Sequence, residues 1–128
     1  MDSVATDYEP NYDAPHESRA FVRAFLMRQG AGDLAFVGEL LVSELVGNVV
    51  RHAHSPIHVE LTWDDDTLRA EVQDGSSILP AAVDLATEDA GYGLRIVEAI
   101  AQDWGVRQLE SGKAVWFTLN RESADTAS

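Results

Sequence analysis

Glu44 and Asn48 stand four residues apart in the stretch SELVGNVVRH, among Leu41, Val42, Leu45, Val46, Val49 and Val50. Residues i and i+4 stack on one face of a helix, so a carboxylate and an amide point the same way from a segment that is apolar around much of its girth. Burying either group without a partner costs roughly 2 kcal/mol or more, so that face calls for a polar ligand. The amide oxygen suits Mg²⁺, a cation that takes oxygen donors and usually keeps waters and substrate phosphates in its shell.

Two further places ask for ligands. Asp74 shares the parity of Leu68, Ala70 and Val72, so its carboxylate faces inward at a strand end, where a purine's exocyclic amine would satisfy it. Gly91 and Gly93 frame the start of a helix, where backbone N–H groups can approach phosphates and the helix dipole favours negative charge. No Walker loop is present: Gly105 and Gly112-Lys113 are too far apart for that motif, and Ala114 stands where a hydroxyl would be needed.

The elements that must position these groups follow from hydrophobic spacing. Residues 1–14, acidic and interrupted by Pro10, form a loose arm with room for one short edge strand. From about His16 to Gln29, Phe21, Phe25 and Met27 recur at helical spacing until Gly30 and Gly32 break the run. Asp33 then N-caps a second, long helix ending near Arg51. The period next changes to two. Ile57, Val59, Leu61 and Trp63 alternate with polar neighbours, DDDT supplies a turn, and Leu68, Ala70 and Val72 alternate again, as in a β-hairpin. Residues 75–91 read as a long, functional loop. Leu94, Val97, Ile100 and Ala101 form the buried face of a third helix, and a closing hairpin turns at Ser111-Gly112 with Val115, Phe117 and Leu119 inward. Residues 121–128 read as a frayed, disordered tail.

Bulk properties bound the function. A chain of 128 residues makes one domain, here about residues 15–120, and the 45% hydrophobic content is that of a folded protein. The formal charge of -13 repels nucleic-acid backbones and anionic lipid, so neither is expected as a direct partner. There is no cysteine, no apolar run long enough for a membrane span, and no basic-then-apolar signal at Met1–Pro10, so the expected location is the cytoplasm.

The ordered set SELVGNVVRHAHSP, VQDGSS, AGYGLRIVEAIAQDWGV and GKAVWF resembles the successive boxes of the bacterial anti-sigma factor serine kinases, small members of the gyrase, Hsp90, histidine-kinase and MutL ATPase superfamily. The resemblance implies an α/β (α+β) Bergerat-type fold: a two-layer sandwich of a mixed, largely antiparallel sheet with about three helices on one face. It implies ATP and Mg²⁺ as cofactors. Asn48 would be the Mg²⁺ ligand, Glu44 the general base for an attacking serine hydroxyl, and Asp74 the adenine ligand. Ser76 would be a further nucleotide-binding residue, His52 would line the site, and Gly91, Tyr92, Gly93 and Leu94 would form the phosphate-binding end of a short lid. Implied partners are a sigma factor and the anti-anti-sigma antagonist whose serine is phosphorylated, with the chain acting as a homodimer. Where the superfamily has D-x-G-x-G, this chain has Asp74-Gly75-Ser76-Ser77, so a flexible glycine is replaced by a hydroxyl.

The alternative function is a nucleotide-gated binding module without phosphotransfer. A detached catalytic domain of a two-component system comes third. A zinc site from His52, His54 and His58 lacks a common face to gather the three, and His16-Glu17 lacks the helical hairpin of a histidine phosphoacceptor. Arg19, Arg23 and Arg28 read as solvated charges on the first helix.

Overall fold

The alternation at residues 57–63 and 68–72 does make a hairpin, β2 (Ile57–Asp64) and β3 (Thr67–Asp74), in a computed structural model that describes residues 1–75 and 95–121. Its two-residue turn places Asp65 and Asp66 at φ of 50° and 58°. Aspartate tolerates this left-handed conformation better than most residues, and the turn's twist matches that of the strands. The remaining elements are β1 (Asp2–Tyr8), α1 (Ala14–Arg28), a 3₁₀ turn (Gly32–Leu34), α2 (Ala35–Asn48), a π-helical turn (Val49–Ala53), a short helix α3 over 95–100, β4 (Asp103–Leu109) and β5 (Gly112–Asn120).

The five strands lie in the order β1-β2-β3-β5-β4, and every neighbouring pair is antiparallel. The expected two-layer α/β sandwich is therefore present, with its sheet wholly antiparallel. Leu68, Ala70 and Val72 of β3 and Val115, Phe117 and Leu119 of β5 are buried in one core with Val22, Phe25 and Leu26 of α1, with Leu41, Val42, Leu45 and Val46 of α2, and with Val97 of α3. Gly38 lets α2 settle close to its neighbours: a Cβ there would meet Leu26 and Val22 of α1 at 3.2–3.3 Å and Leu68 of β3 at 3.4 Å. Burying a leucine or phenylalanine contributes roughly 1.5–3 kcal/mol, so this seam fixes α2 across β3.

Several local expectations shift. Met27 is exposed, and α1 buries Ser18 and Val22 beside Phe25 and Leu26, because those positions follow the 3.6-residue stripe toward α2. Asp33 does not cap α2. It lies in the 3₁₀ turn, and its carboxylate instead accepts from Arg121 Nε at 3.0 Å. Arg121, assigned to the tail by sequence, also donates to Asp66 at 2.6 Å and stands over the Trp63 ring at 5.7 Å. Arg23 is not merely solvated: it forms a bidentate pair with the buried Glu39 of α2 at 2.7 and 3.1 Å. The closing turn is Glu110-Ser111, one residue earlier than expected, since Leu109 and Gly112 already pair. Among the described residues no helix is long and apolar enough to cross a membrane.

Candidate functional site

Helix α2 positions the first two groups. From Leu41 to Val50 every residue is buried except Glu44 and Asn48, which are half-buried. The stripe they form is thus the one opening in an otherwise covered stretch of helix. The Glu44 carboxylate has no hydrogen-bond or ion-pair partner among the described residues. The Asn48 amide oxygen accepts from the Arg51 guanidinium at 2.7 Å, so the atom expected to bind a metal already faces a cation.

Past Asn48 the helix widens into the π-turn, closed by the His54 N–H donating to the Val49 carbonyl at 3.0 Å. Such turns insert one residue into the helical register and recur at functional sites. The insertion shifts the register after Asn48. His52 and Arg51 are both exposed, and His54 ends the turn in the left-handed region at φ 50°. No three of His, Cys, Asp and Glu gather around a common point among the described residues. His58 faces Asp7 and Glu60, at 2.7 Å from Nδ1 and 3.0 Å from Nε2.

Strand β3 positions the third group. Its parity turns Asp74 inward and buries it. Asp74 stands beside Lys113 of β5, and the Lys113 ammonium reaches both carboxylate oxygens, at 3.0 Å and 2.9 Å. The backbones meet tightly here. Gly112 sits at φ +121°, and a Cβ on it would collide with the Asp74 carbonyl oxygen, so only glycine permits this junction. The Gly75 N–H donates to Ser55 Oγ at 2.8 Å, and Ser55 lies just after the π-turn. The end of β3 and the end of α2 are thereby tied to the same end of the sheet.

Sequence reasoning singled out Glu44, Asn48 and Asp74 and missed Lys113. Its signal was available in Gly112-Lys113, read there only as a failed phosphate loop; a cross-strand partner depends on register, which the residues alone did not supply. Ser76, Gly91, Tyr92, Gly93 and Leu94 lie outside the described residues. Removing one partner of a pair as dry as Asp74–Lys113 breaks a buried ion pair, at about 3–5 kcal/mol.

A polar-lined helix end, an inward aspartate at the adjoining strand end and an antiparallel sheet carrying helices on one face together make an α/β sandwich with polar groups gathered at one end of the sheet. Residues 9–119 match the family model described as the histidine kinase-like ATPase domain, and the chain belongs to that family. Among solved structures it is similar to the histidine kinase domain of a blue-light activated histidine kinase from Erythrobacter litoralis EL346, with a TM-score of 0.52 and 20% identity over 75% of this chain. The chain spans 46% of the length of that structure. No match is found among curated proteins.

Proposed function

We propose that the chain is an ATP-dependent protein-serine kinase that regulates transcription by holding a sigma factor and phosphorylating its antagonist in the cytoplasm. The observation that carries this reading is the Glu44 carboxylate, half-buried and without a protein partner among the described residues, one turn from Asn48 on a helix that is otherwise covered. A base needs access and an unengaged lone pair, and Glu44 has the environment of one. Asn48 would hold Mg²⁺ through its amide oxygen, an atom that already attracts a cation in Arg51. Asp74 would receive the base of the nucleotide. Bound Mg²⁺ would offset the charge on the transferred phosphoryl group, while the protein's own contribution is positioning and taking up the serine proton.

The contact of Arg51 with Asn48 also supports a second reading, a nucleotide-gated binding module without transfer, because a guanidinium on the metal ligand has to yield before Mg²⁺ binds. One set of measurements separates the two. Mg-ATP at 100 times its dissociation constant should stabilise the fold by about 2.7 kcal/mol. Glu44→Ala should keep that stabilisation and slow single-turnover transfer from labelled ATP to an antagonist serine by at least about 10²-fold. Asn48→Ala should lose the Mg²⁺-dependent part of binding. Tight binding with no labelled protein establishes the gated module, and no stabilisation by any adenine nucleotide removes both readings.

A further inference from the structure

Arg51 rests on a bare patch of helix. It follows Gly47 by four residues and Asn48 by three, the two spacings that bring side chains together on one helical face, and a long helical side chain leans back over the preceding turn. The three atoms nearest to a Cβ built on Gly47 all belong to the Arg51 guanidinium, Nη1 at 3.0 Å, Cζ at 3.7 Å and Nη2 at 3.8 Å. The guanidinium therefore lies where any other residue at position 47 would place its side chain. From that seat Nη2 donates to the Asn48 amide oxygen at 2.7 Å. Glu44, a carboxylate without a partner among the described residues, stands one turn further along the same stripe, yet the guanidinium stops at the amide. A glycine inside a helix weakens it relative to alanine, and what this one permits is the guanidinium's position beside Asn48.

We propose that Gly47 and Arg51 form a latch on the metal ligand: the guanidinium, seated on Gly47, holds the Asn48 amide oxygen and must swing into solvent before that oxygen can take Mg²⁺. The proposal rests on the nucleotide-binding reading above, with Asn48 as its metal ligand. Two cations at contact distance from one amide oxygen repel each other strongly, so occupancy by either excludes the other. Arg51 is exposed, so its release costs little beyond the hydrogen bond that is lost. Glu44 stays uncovered throughout. The latch thus governs the metal and leaves the base alone, and it sets the Mg²⁺ concentration above which nucleotide is held together with its metal.

The test is calorimetric titration of the full chain with ADP, in EDTA and over a series of Mg²⁺ concentrations, the readout being the Mg²⁺ midpoint of the gain in ADP affinity. Arg51→Gln removes the latch, whereas Gly47→Val fills its seat and keeps the charge, with a residue that forms helix better than glycine does. Each should lower the midpoint at least about fivefold, the effect of one exposed charge-assisted hydrogen bond, with ADP affinity in EDTA unchanged. Together they should lower it no further, because both remove the same contact. Should Gly47→Val fail to fold, Gly47→Ala takes its place, its Cβ already at 3.0 Å from Nη1. A lowered midpoint in Arg51→Gln alone assigns the effect to charge repulsion and overturns the latch. An unchanged midpoint in both variants overturns it too, as does weaker ADP binding by Arg51→Gln in EDTA, which makes Arg51 a phosphate ligand instead. A wild-type ADP affinity indifferent to Mg²⁺ overturns the latch and the metal role of Asn48 while leaving nucleotide binding intact, and absence of ADP binding under every condition overturns the nucleotide reading and the latch with it.

Discussion

Strand β3 carries two buried carboxylates three residues apart, Glu71 and Asp74, on opposite faces of the sheet, and they are compensated in different ways. Glu71 lies on the face away from the helices. Arg107 reaches it at 2.7 Å and Arg69 at 4.0 Å, with Gln73 donating at 3.3 Å. Its side chain is 4% exposed, yet those of Arg107 and Arg69 are 54% and 42% exposed. Arg69 also covers the Trp116 ring at 5.1 Å. Glu71 is hidden by long side chains folded over it, and its counter-charges stay in water. At Asp74 both partners are dry, 4% exposed for the aspartate and 10% for Lys113. The wet arrangement is a solvent-tolerant brace between β3 and β4. The dry one puts a strong, fixed field at the sheet end where a ligand would arrive, since charges interact more strongly where water is excluded.

The largest expected difference is in stability. Lys113→Met alone should cost about 3–5 kcal/mol in urea denaturation, and adding Asp74→Leu should recover most of that loss, because an apolar pair replaces a dry ionic one at little cost. A loss below about 1 kcal/mol for the single variant would place the Asp74 pair in the same wet class as Glu71. Arg107→Ala should cost less, about 1 kcal/mol, because Arg69 and Gln73 remain beside Glu71. A loss matching that of Lys113→Met would erase the distinction between the two faces.

The smallest effect belongs to His58, a second wet pair on the outer face that joins β2 to β1. Its hydrogen bond to Asp7, and then that to Glu60, raises its pKa above the ordinary 6.5. A raised folded-state value means that the stabilisation is fully present below pH 6.5 and is lost as pH rises through the higher folded value. Stability should therefore decline as pH rises above 6.5, and His58→Gln should flatten that part of the curve. A wild-type profile with no such decline would remove the imidazolium as a brace.

The hairpin of β2 and β3 and the inward turn of Asp74 were legible because alternation is a local signal. The Glu44–Asn48 stripe was legible for the same reason, since four residues of separation is a property of one helix. What escaped lies across elements. Lys113 meets Asp74 only because β5 inserts beside β3 in one register. Glu39 and Arg23 are 16 residues apart and meet only when α1 and α2 pack. The π-turn left no mark in composition, and VVRHA reads as ordinary continuing helix. Met27 was misassigned because its apolar character outweighed its position, one residue past the buried stripe.

The strand order also bears on how the molecule assembles. β5, the last of the five to leave the ribosome, goes into the interior of the sheet, between β3 and β4. A nascent chain that has made only β1, β2 and β3 holds a three-stranded ribbon in which the outer margin of β3 is bare and Asp74 still lacks the ammonium of Lys113. Sealing that margin and bringing the Lys113 ammonium to Asp74 are therefore a single late event, reached only when the sheet itself is complete.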